Sequence, residues 1–243
     1  MKIGYCFMKD WLVTRPGLVR LVDELGYDGI EIWSQAFDAV GLDGVRRIVS
    51  GLRCEVASIN PYFDFTSSRE SFERSLEIAY TYVGYAEALG CTRIRVWASA
   101  RGAFASGDEA EPEHWEAAVR GIQAVCDMAA PAGIACVLEV HYGDGQLFDT
   151  SENALRMLRR VARPNCTLNL QPPLRGEDPL ESATRLGPYV THLHAHNWKG
   201  GWGNFTFLGE GDVDFEAFLR ILRSYGFDGY ISLEHTSRDR SEE

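Results

Sequence analysis

The chain has 243 residues, of which 45% are hydrophobic and 24% charged, and its formal net charge is -11. This composition is typical of a globular protein, and the length suits one α/β barrel domain over residues 1–243. The acidic balance excludes nucleic acid as an expected partner, because phosphate binding requires a basic surface. No apolar run is long enough to cross a bilayer. The amino-terminal segment lacks a signal-peptide pattern, so we expect a cytoplasmic protein.

Short β-rich runs alternate with amphipathic helical runs along the whole chain. The predicted strands are Ile3–Phe7, Gly29–Trp33, Glu55–Tyr62, Arg93–Trp97, Ile134–His141, Cys166–Gln171, Thr191–His196 and Tyr230–His235. The predicted helices are Pro16–Leu25, Val45–Leu52, Ser68–Leu89, Pro112–Met128, Ser151–Val161, Pro179–Leu186 and Asp214–Tyr225. Proline at several helix starts and glycine after several helix ends support these boundaries.

Eight strands that alternate with helices predict a parallel sheet with right-handed crossovers. Eight such units in this length predict a closed (β/α)8 barrel, the TIM barrel. A doubly wound open sheet is the alternative, but it usually has fewer strands and a glycine-rich phosphate turn after strand one, which this chain lacks. The six cysteines form no Cys-x-x-Cys pair. We expect them to be small buried hydrophobes in a reducing compartment, with no catalytic role and no zinc site.

Three histidines occupy alternate positions of the seventh strand, so His192, His194 and His196 should face one side of it. We expect His194 to bind a metal at the strand end and His192 to lie deeper in a structural role. The alternative is that all three are interior histidines with ordinary hydrogen bonds.

Glu139 and Glu234 each interrupt an apolar strand, in VLEV and SLEH. A lone carboxylate in a buried strand is costly unless it is paired or bound to a cation. The two glutamates lie on strands five and eight, so they can approach one cation or one substrate from different sides of a barrel. The alternative is that each neutralises an interior arginine such as Arg93 or Arg95.

Several phrases of the sequence resemble the sugar phosphate isomerase/epimerase group of xylose isomerase-like TIM barrels. They are GYDGIEIW, LGCTRIRVWA, the EVH tip of strand five, HLHAHN, and LGEGDVDFEAFLRILRSYGFDGYISLEH. The resemblance extends over essentially the whole chain. It implies one divalent cation held by Glu on strand five, Asp on strand six, His on strand seven and Glu on strand eight. Those ligands correspond to Glu139, His194 and Glu234, with Gln171 at the position of the Asp.

The chain departs from the family pattern at two strand ends. Gln171 offers a carbonyl oxygen without charge, so the affinity for a divalent ion should be lower than in a three-carboxylate site. His196 and Asn197 stand where the family often has Lys and Asp. Either the metal site is weakened, or His196 or His141 compensates, or the barrel binds no metal. If an ion is bound, the mixed oxygen and nitrogen ligands suit Mn²⁺ or Mg²⁺, with Co²⁺ or Zn²⁺ as alternatives.

The resemblance implies an isomerase or epimerase of carbohydrate metabolism that acts on a small ketose, a sugar phosphate or a hydroxy-carbonyl compound. The cation would stabilise an enediolate while one of Glu139 and Glu234 removes the proton beside the carbonyl and the other returns it. A dehydratase or lyase acting on a cyclic polyol or keto compound is the second hypothesis, and a non-catalytic barrel is the third. A relative of the endonuclease IV type fits poorly, because it requires further His and Asp ligands on strands two and three.

The segment Asn197–Leu208 is expected to cover the mouth of the barrel. Its aromatic residues, including Trp198 and Trp202, could stack on a sugar, and its glycines would make it mobile. The alternative is that these aromatics pack on the barrel rim. We expect a small carbohydrate-like substrate to contact Trp33, Asn60, Trp97, His141, His196, Trp198 and Lys199. A homo-oligomer is compatible with the sequence.

Overall fold

A closed barrel of eight parallel strands forms the centre of the computed structural model, which describes residues 1–142, 146–201 and 204–234. The barrel strands are β1 Lys2–Phe7, β2 Gly29–Trp33, β3 Glu55–Asn60, β4 Arg93–Val96, β5 Ala135–Val140, β6 Cys166–Leu170, β7 Val190–Ala195 and β10 Tyr230–Leu233. Each strand pairs with its sequence neighbours, and β10 closes the ring between β7 and β1. The predicted (β/α)8 barrel is therefore confirmed.

Helices cover the outside of the barrel and bury their apolar faces against the strands. They are α1 Trp11–Thr14, α2 Pro16–Glu24, α3 Ser34–Val49, α4 Arg69–Leu89, α5 Pro112–Ala129, α6 Ser151–Val161, α7 Pro179–Leu186 and α8 Phe215–Ser224. In α4 the helix start is fixed by Ser68 and Ser71, which cap each other's backbone amides, and the end by Gly90 in a left-handed conformation, φ 65°. None of the described helices is long and apolar enough to span a membrane.

The observed elements differ from the predicted ones by one or two residues at several strand ends, and more substantially in the following places. Two helical segments that meet at Gly41, whose backbone (φ 67°, ψ 175°) is not helical, together span Ser34–Val49, and the second of them overlaps the helix predicted over Val45–Leu52. The short α1 was not predicted. The segment expected to be an irregular cover forms a hairpin of β8 Asn197–Trp198 and β9 Phe205–Thr206.

Five of the six cysteines are buried, and Cys54 is half-buried. They occupy strand, helix and loop positions against the hydrophobic layer, as predicted for small apolar side chains. All six are free thiols.

Candidate active site

A cavity of about 410 Å³ opens at the carboxyl ends of the barrel strands. This is the end at which TIM barrels place their reactive groups, because the loops that follow the strands converge there. The side chains that line it come from most of the strand ends: Met8, Lys9, Trp33, Tyr62, Arg95, Trp97, Arg101, Glu139, His141, Tyr142, Gln171, His196 and Glu234.

The imidazole of His194 is fully buried beneath the floor of this cavity, against Glu139 and Glu234, which line it. Its Nδ1 is 3.0 Å from Glu139 Oε1 and 4.0 Å from Glu234 Oε2. One ligand atom from each of these three residues lies within 4.8 Å of the others, so the set can hold a metal ion. The structure therefore brings together the three residues that the resemblance implied as ligands.

Glu31 fixes the orientation of His194 from below. Its Oε2 lies 3.0 Å from His194 Nε2 and accepts a hydrogen bond from Asn60 Nδ2 at 2.7 Å, while its Oε1 lies 2.7 Å from His192 Nε2. A carboxylate that holds one ring nitrogen of a histidine leaves the other nitrogen directed at a metal position. His192 is buried on the other oxygen of this carboxylate, so it shares Glu31 with His194.

The electrostatics of this floor favour a cation beside His194 Nδ1. Burial alone would lower the pKa of His194, but the nearby carboxylates of Glu31, Glu139 and Glu234 together raise that pKa well above its ordinary value. The surroundings therefore stabilise positive charge at this imidazole. A divalent ion could take the place of the Nδ1 proton between the same two carboxylates, so the donor set fits such an ion.

Arg95 is the principal partner of Glu139 on the side away from His194. Its Nη1 donates to Glu139 Oε2 at 3.1 Å, and its Nη2 donates to the backbone oxygens of Asn60 and Pro61 at 3.4 and 3.3 Å. Burial opposes ionisation of Glu139, but the charges of Arg95 and His194 lower its pKa to about 2. One expectation from the sequence is that an interior arginine neutralises each glutamate. Glu139 forms such an ion pair with Arg95, and it also contacts His194.

Three aromatic rings enclose the Arg95 guanidinium, whose carbon lies 4.4 Å from the ring centre of Tyr62, 5.2 Å from that of Trp33 and 5.6 Å from that of Trp97. Such contacts stabilise a desolvated cation. Arg93, the other arginine considered, lies over Tyr230 instead, 5.4 Å from its ring centre.

Glu234 is held differently from Glu139, through amide and imidazole groups. Gln171 Nε2 donates to Glu234 Oε2 at 2.8 Å, and His196 Nδ1 lies 3.5 Å from the same oxygen. Gln171 therefore presents its amide nitrogen toward Glu234. To act as the fourth ligand, it would have to turn its carbonyl oxygen toward the ion, and amide orientation is assigned from the hydrogen-bond network.

The remaining predicted substrate contacts fall into two groups. Trp33, Trp97, His141 and His196 line the cavity. The other three lie outside its lining: Asn60 beneath the floor on Glu31, Trp198 buried against the His196 ring at 5.6 Å, and Lys199 exposed on the hairpin.

The hairpin aromatics pack mainly on the barrel rim. Phe205 lies against His196 with ring centres 5.6 Å apart, whereas Phe207 is 69% exposed. The expectations for Trp202 and for His235 at the end of strand eight lie outside the described residues.

Sequence reasoning did not assign Lys9, Tyr62, Arg95 and Arg101 to the site, although all four line the cavity. For Arg95 a signal was present, because it alternates with Trp97 along one strand and should share its face. For Lys9 and Arg101 the only signal was their position shortly after strands one and four, where barrel loops begin.

The profile of the xylose isomerase-like TIM barrel family matches residues 19–243, and the chain belongs to that family. The 3-dehydroshikimate dehydratase of Bacillus anthracis is 27% identical over 270 residues, covering 98% of this chain and 93% of the relative. The fructoselysine 3-epimerase of Shigella flexneri is 21% identical over 232 residues, covering 88% and 83%. Related proteins are thus enzymes, both dehydratases and epimerases.

A solved structure of a xylose isomerase-like TIM barrel protein from Mycobacterium smegmatis, in complex with magnesium, superposes with a TM-score of 0.76. The two chains are 19% identical, and the match covers 98% of this chain and 91% of the other. At this level of sequence identity, the structural similarity supports the fold alone.

Proposed function

We propose that this chain is a divalent-metal-dependent enzyme that removes a proton from the carbon beside a carbonyl group of a small polyhydroxylated compound. The observation that carries the proposal is the convergence of Glu139 Oε1, His194 Nδ1 and Glu234 Oε2 at the floor of the cavity. Mn²⁺ or Mg²⁺ suits this mixed oxygen and nitrogen set, with Co²⁺ or Zn²⁺ as alternatives. When bound, such an ion supplies Lewis acidity toward a carbonyl oxygen.

The contacts of the two glutamates support different roles for them. Glu139 has both oxygens engaged, one with Arg95 and one facing His194. The contacts of Glu234 with Gln171, His194 and His196 all use Oε2. Glu234 is therefore the better base for the substrate proton, and Glu139 is the better fixed ligand.

A site in which one glutamate serves as the base and the other as a fixed ligand suits dehydration better than epimerisation. In dehydration, Glu234 takes the proton beside the carbonyl, a double bond forms, and the hydroxyl group on the next carbon leaves as water. That hydroxyl must be protonated as its C–O bond breaks, and His141 and His196 both line the cavity where such an acid is needed. The match of a dehydratase along nearly the whole chain supports the same choice.

Epimerisation is the second candidate, and one observation favours it. Glu139 and Glu234 come from strands β5 and β10, on different sides of the barrel, and both approach His194. Two carboxylates on opposite faces of a substrate could remove and return a proton. For that reaction, Glu139 would have to release Arg95 or turn away from His194 in each turnover.

Solvent exchange provides the test. The Mn²⁺-loaded protein is incubated in D₂O with 3-dehydroshikimate and with a panel of ketoses, and deuterium beside the carbonyl is followed by NMR. Loss of water from 3-dehydroshikimate with enolisation yields an aromatic dihydroxybenzoate, whereas epimerisation yields a deuterated stereoisomer. We expect the aromatic product. If the metal-loaded protein gives neither product nor exchange with any of these compounds, the proposed proton abstraction is wrong.

A further inference from the structure

Three of the six cysteines meet at the amino ends of the strands, opposite the cavity. Cys136 is the second residue of β5 and Cys166 the first of β6, and the two are register partners in the sheet. Glu139 lines the cavity inside the barrel, so Cys136, three positions earlier on the same strand, faces outward. On that side α5 packs against β5, and Cys126 lies in the last turns of α5.

Asn165 ties the three cysteines to one another through its hydrogen bonds. Its Nδ2 donates to the backbone oxygen of Cys126 at 2.9 Å, and its own backbone oxygen accepts from the amide of Cys136 at 2.8 Å. Cys166 is the next residue in the chain. All three cysteine side chains are buried. We call Cys126, Cys136 and Cys166 the thiol cluster.

The surroundings of Cys126 favour its thiolate form. Hydrogen bonding from Cys136 and Cys166 holds the pKa of the Cys126 thiol below its usual range, against the effect of burial. The same contacts raise the pKa values of Cys136 and Cys166, so those two thiols keep their protons. The thiolate is the form of cysteine that attacks peroxides and disulfides. The thiol cluster therefore combines one nucleophile with two neighbouring thiols.

The arrangement of the thiol cluster suits a reaction between two sulfurs better than it suits metal binding. Within the part of the chain that the structure describes, the side-chain sets whose donor atoms lie close enough to share one ion both include His194. None of those sets is drawn from the thiol cluster. A disulfide needs only two sulfurs, so it is the chemistry that this cluster supports.

Cys166 is the better disulfide partner for Cys126. Cys136 is paired on both sides within the sheet, with Ile94 of β4 and with Cys166. Cys166 is paired only with β5, because the pairing of β6 with β7 begins at Leu168. The exposed fraction of Cys166 is 9%, whereas that of Cys126 and of Cys136 is 0%. Cys166 is thus the member of the cluster that is nearest to solvent and least constrained.

We infer that the thiol cluster is an oxidation site at which hydrogen peroxide joins Cys126 and Cys166 in a disulfide. The Cys126 thiolate attacks one peroxide oxygen, the O–O bond breaks, and the departing hydroxide takes up a proton to become water. Cys126 is left as a sulfenic acid. The sulfur of Cys166 then attacks the sulfenic sulfur, gives up its proton and displaces the hydroxyl group as a second water. The inference does not depend on the proposed function.

Mass spectrometry after oxidation tests the inference. The reduced protein is treated with hydrogen peroxide at pH 7 in EDTA, its remaining thiols are alkylated, and it is digested with trypsin and Asp-N. Asp127 lies between Cys126 and Cys136, so this digestion separates them. Cys54 is the internal comparison, because it is more exposed than the cluster but burial raises its pKa. We expect the disulfide between Cys126 and Cys166 to form at least about tenfold faster than Cys54 is oxidised.

Substitutions locate the reaction within the thiol cluster. Cys126→Ala and Cys166→Ala should each abolish the disulfide, and either variant suffices if the other fails to fold. Cys136→Ala should slow its formation, because Cys126 loses one hydrogen-bond donor, and Cys91→Ala, at a buried free thiol outside the cluster, should leave it unchanged. Oxidation of Cys54 before Cys126, or no disulfide within the chain, overturns the inference. A disulfide that joins Cys126 to Cys136 overturns the choice of partner.

Discussion

Arg95 and Glu139 determine which atoms of the site remain available for chemistry. The exposed fraction of the Arg95 side chain is 1% and that of Glu139 is 3%, so neither charge can be solvated by water. Each therefore depends on the other, on the Asn60 and Pro61 carbonyls and on the aromatic rings. The pair commits one oxygen of Glu139, and this commitment distinguishes Glu139 from Glu234.

Replacement of Arg95 should measure this dependence. In Arg95→Met the charge of Glu139 is left buried beside apolar groups, and we expect the free energy of unfolding to fall by about 3–5 kcal/mol. The same change at Arg220, whose pair with Glu216 is exposed, should cost at most about 1 kcal/mol. Urea unfolding of both variants without metal makes the comparison. If both variants lose the same free energy of unfolding, the buried ion pair contributes no more to stability than the exposed one.

Replacement of Glu234 and of Glu139 should distinguish the residue that acts as the base from the residue that acts as the metal ligand. Glu234→Gln keeps an oxygen beside His194 but cannot accept the substrate proton, so turnover should fall roughly 10²–10⁴-fold. Glu139→Gln should instead act first on metal affinity, because it removes a charged ligand and leaves Arg95 without its partner. Titration of Mn²⁺ and steady-state assays of both variants distinguish these effects. If the two variants lose turnover and metal affinity to the same extent, the roles assigned to the glutamates are wrong.

At the scale of single elements, close packing between α5 and the loop after β3 fixes one wall of the barrel. Gly121 in the middle of α5 faces the buried ring of Phe65, and a methyl group at that position would overlap the ring. Glycine is a poor helix former, so its presence here has a packing reason. In α4, by contrast, a methyl group at Gly84 would meet no neighbouring atom within 4 Å.

Alanine substitutions at these two glycines should change the stability of the protein in opposite directions. Gly84→Ala should stabilise the protein by roughly 0.5–1 kcal/mol, because alanine reduces the entropy lost when a helix forms. Gly121→Ala should destabilise it by about 1–3 kcal/mol, because the Phe65 ring is enclosed and cannot move aside without disturbing its neighbours. Thermal unfolding at matched conditions tests both. Stabilisation by Gly121→Ala would mean that the α5 interface is looser than the structure indicates.

At the scale of the whole molecule, closure of the barrel places buried charges from distant parts of the chain around one point. Glu31, Glu139 and Glu234 belong to β2, to β5 and to the end of β10, and all three contact His194. A bound cation would therefore add a further link between these strands, so metal binding should be coupled to global stability.

Metal addition should raise the melting temperature, and its removal with EDTA should lower it. At an Mn²⁺ concentration of about 100 times Kd, the expected stabilisation is roughly 2.7 kcal/mol. Gln171→Asp should enlarge the metal-induced shift by restoring a third carboxylate, and in EDTA it should be less stable than the wild type, because the new charge lies beside Glu234. Scanning calorimetry with and without Mn²⁺ checks both statements. A melting temperature indifferent to Mn²⁺ in both proteins would contradict a metal site at His194.

The sequence by itself determined the barrel and which polar residues lie at the carboxyl ends of its strands. Strand and helix periodicities depend on local spacing, so eight strands and their order were readable before folding. The carboxyl ends of parallel strands meet at one face, so Glu139 and Glu234 could be placed near one cation or substrate in advance, and the family resemblance implied His194 as a ligand beside them. The short α1 and the β8–β9 hairpin could not be read, since two- to four-residue elements carry too few periods to show a pattern.

Only the tertiary structure decided how these side chains share their partners. Arg95 pairs with Glu139 rather than with Glu234, and Glu31 contacts two histidines at once. Both arrangements depend on the relative heights of side chains along strands that lie more than 40 residues apart in the sequence. Lys9 and Arg101 likewise line one cavity only because the loops after β1 and β4 end at the same rim. Strand periodicity fixes which face a residue occupies, but barrel closure and side-chain rotation fix which neighbour it reaches, and those are properties of the folded chain.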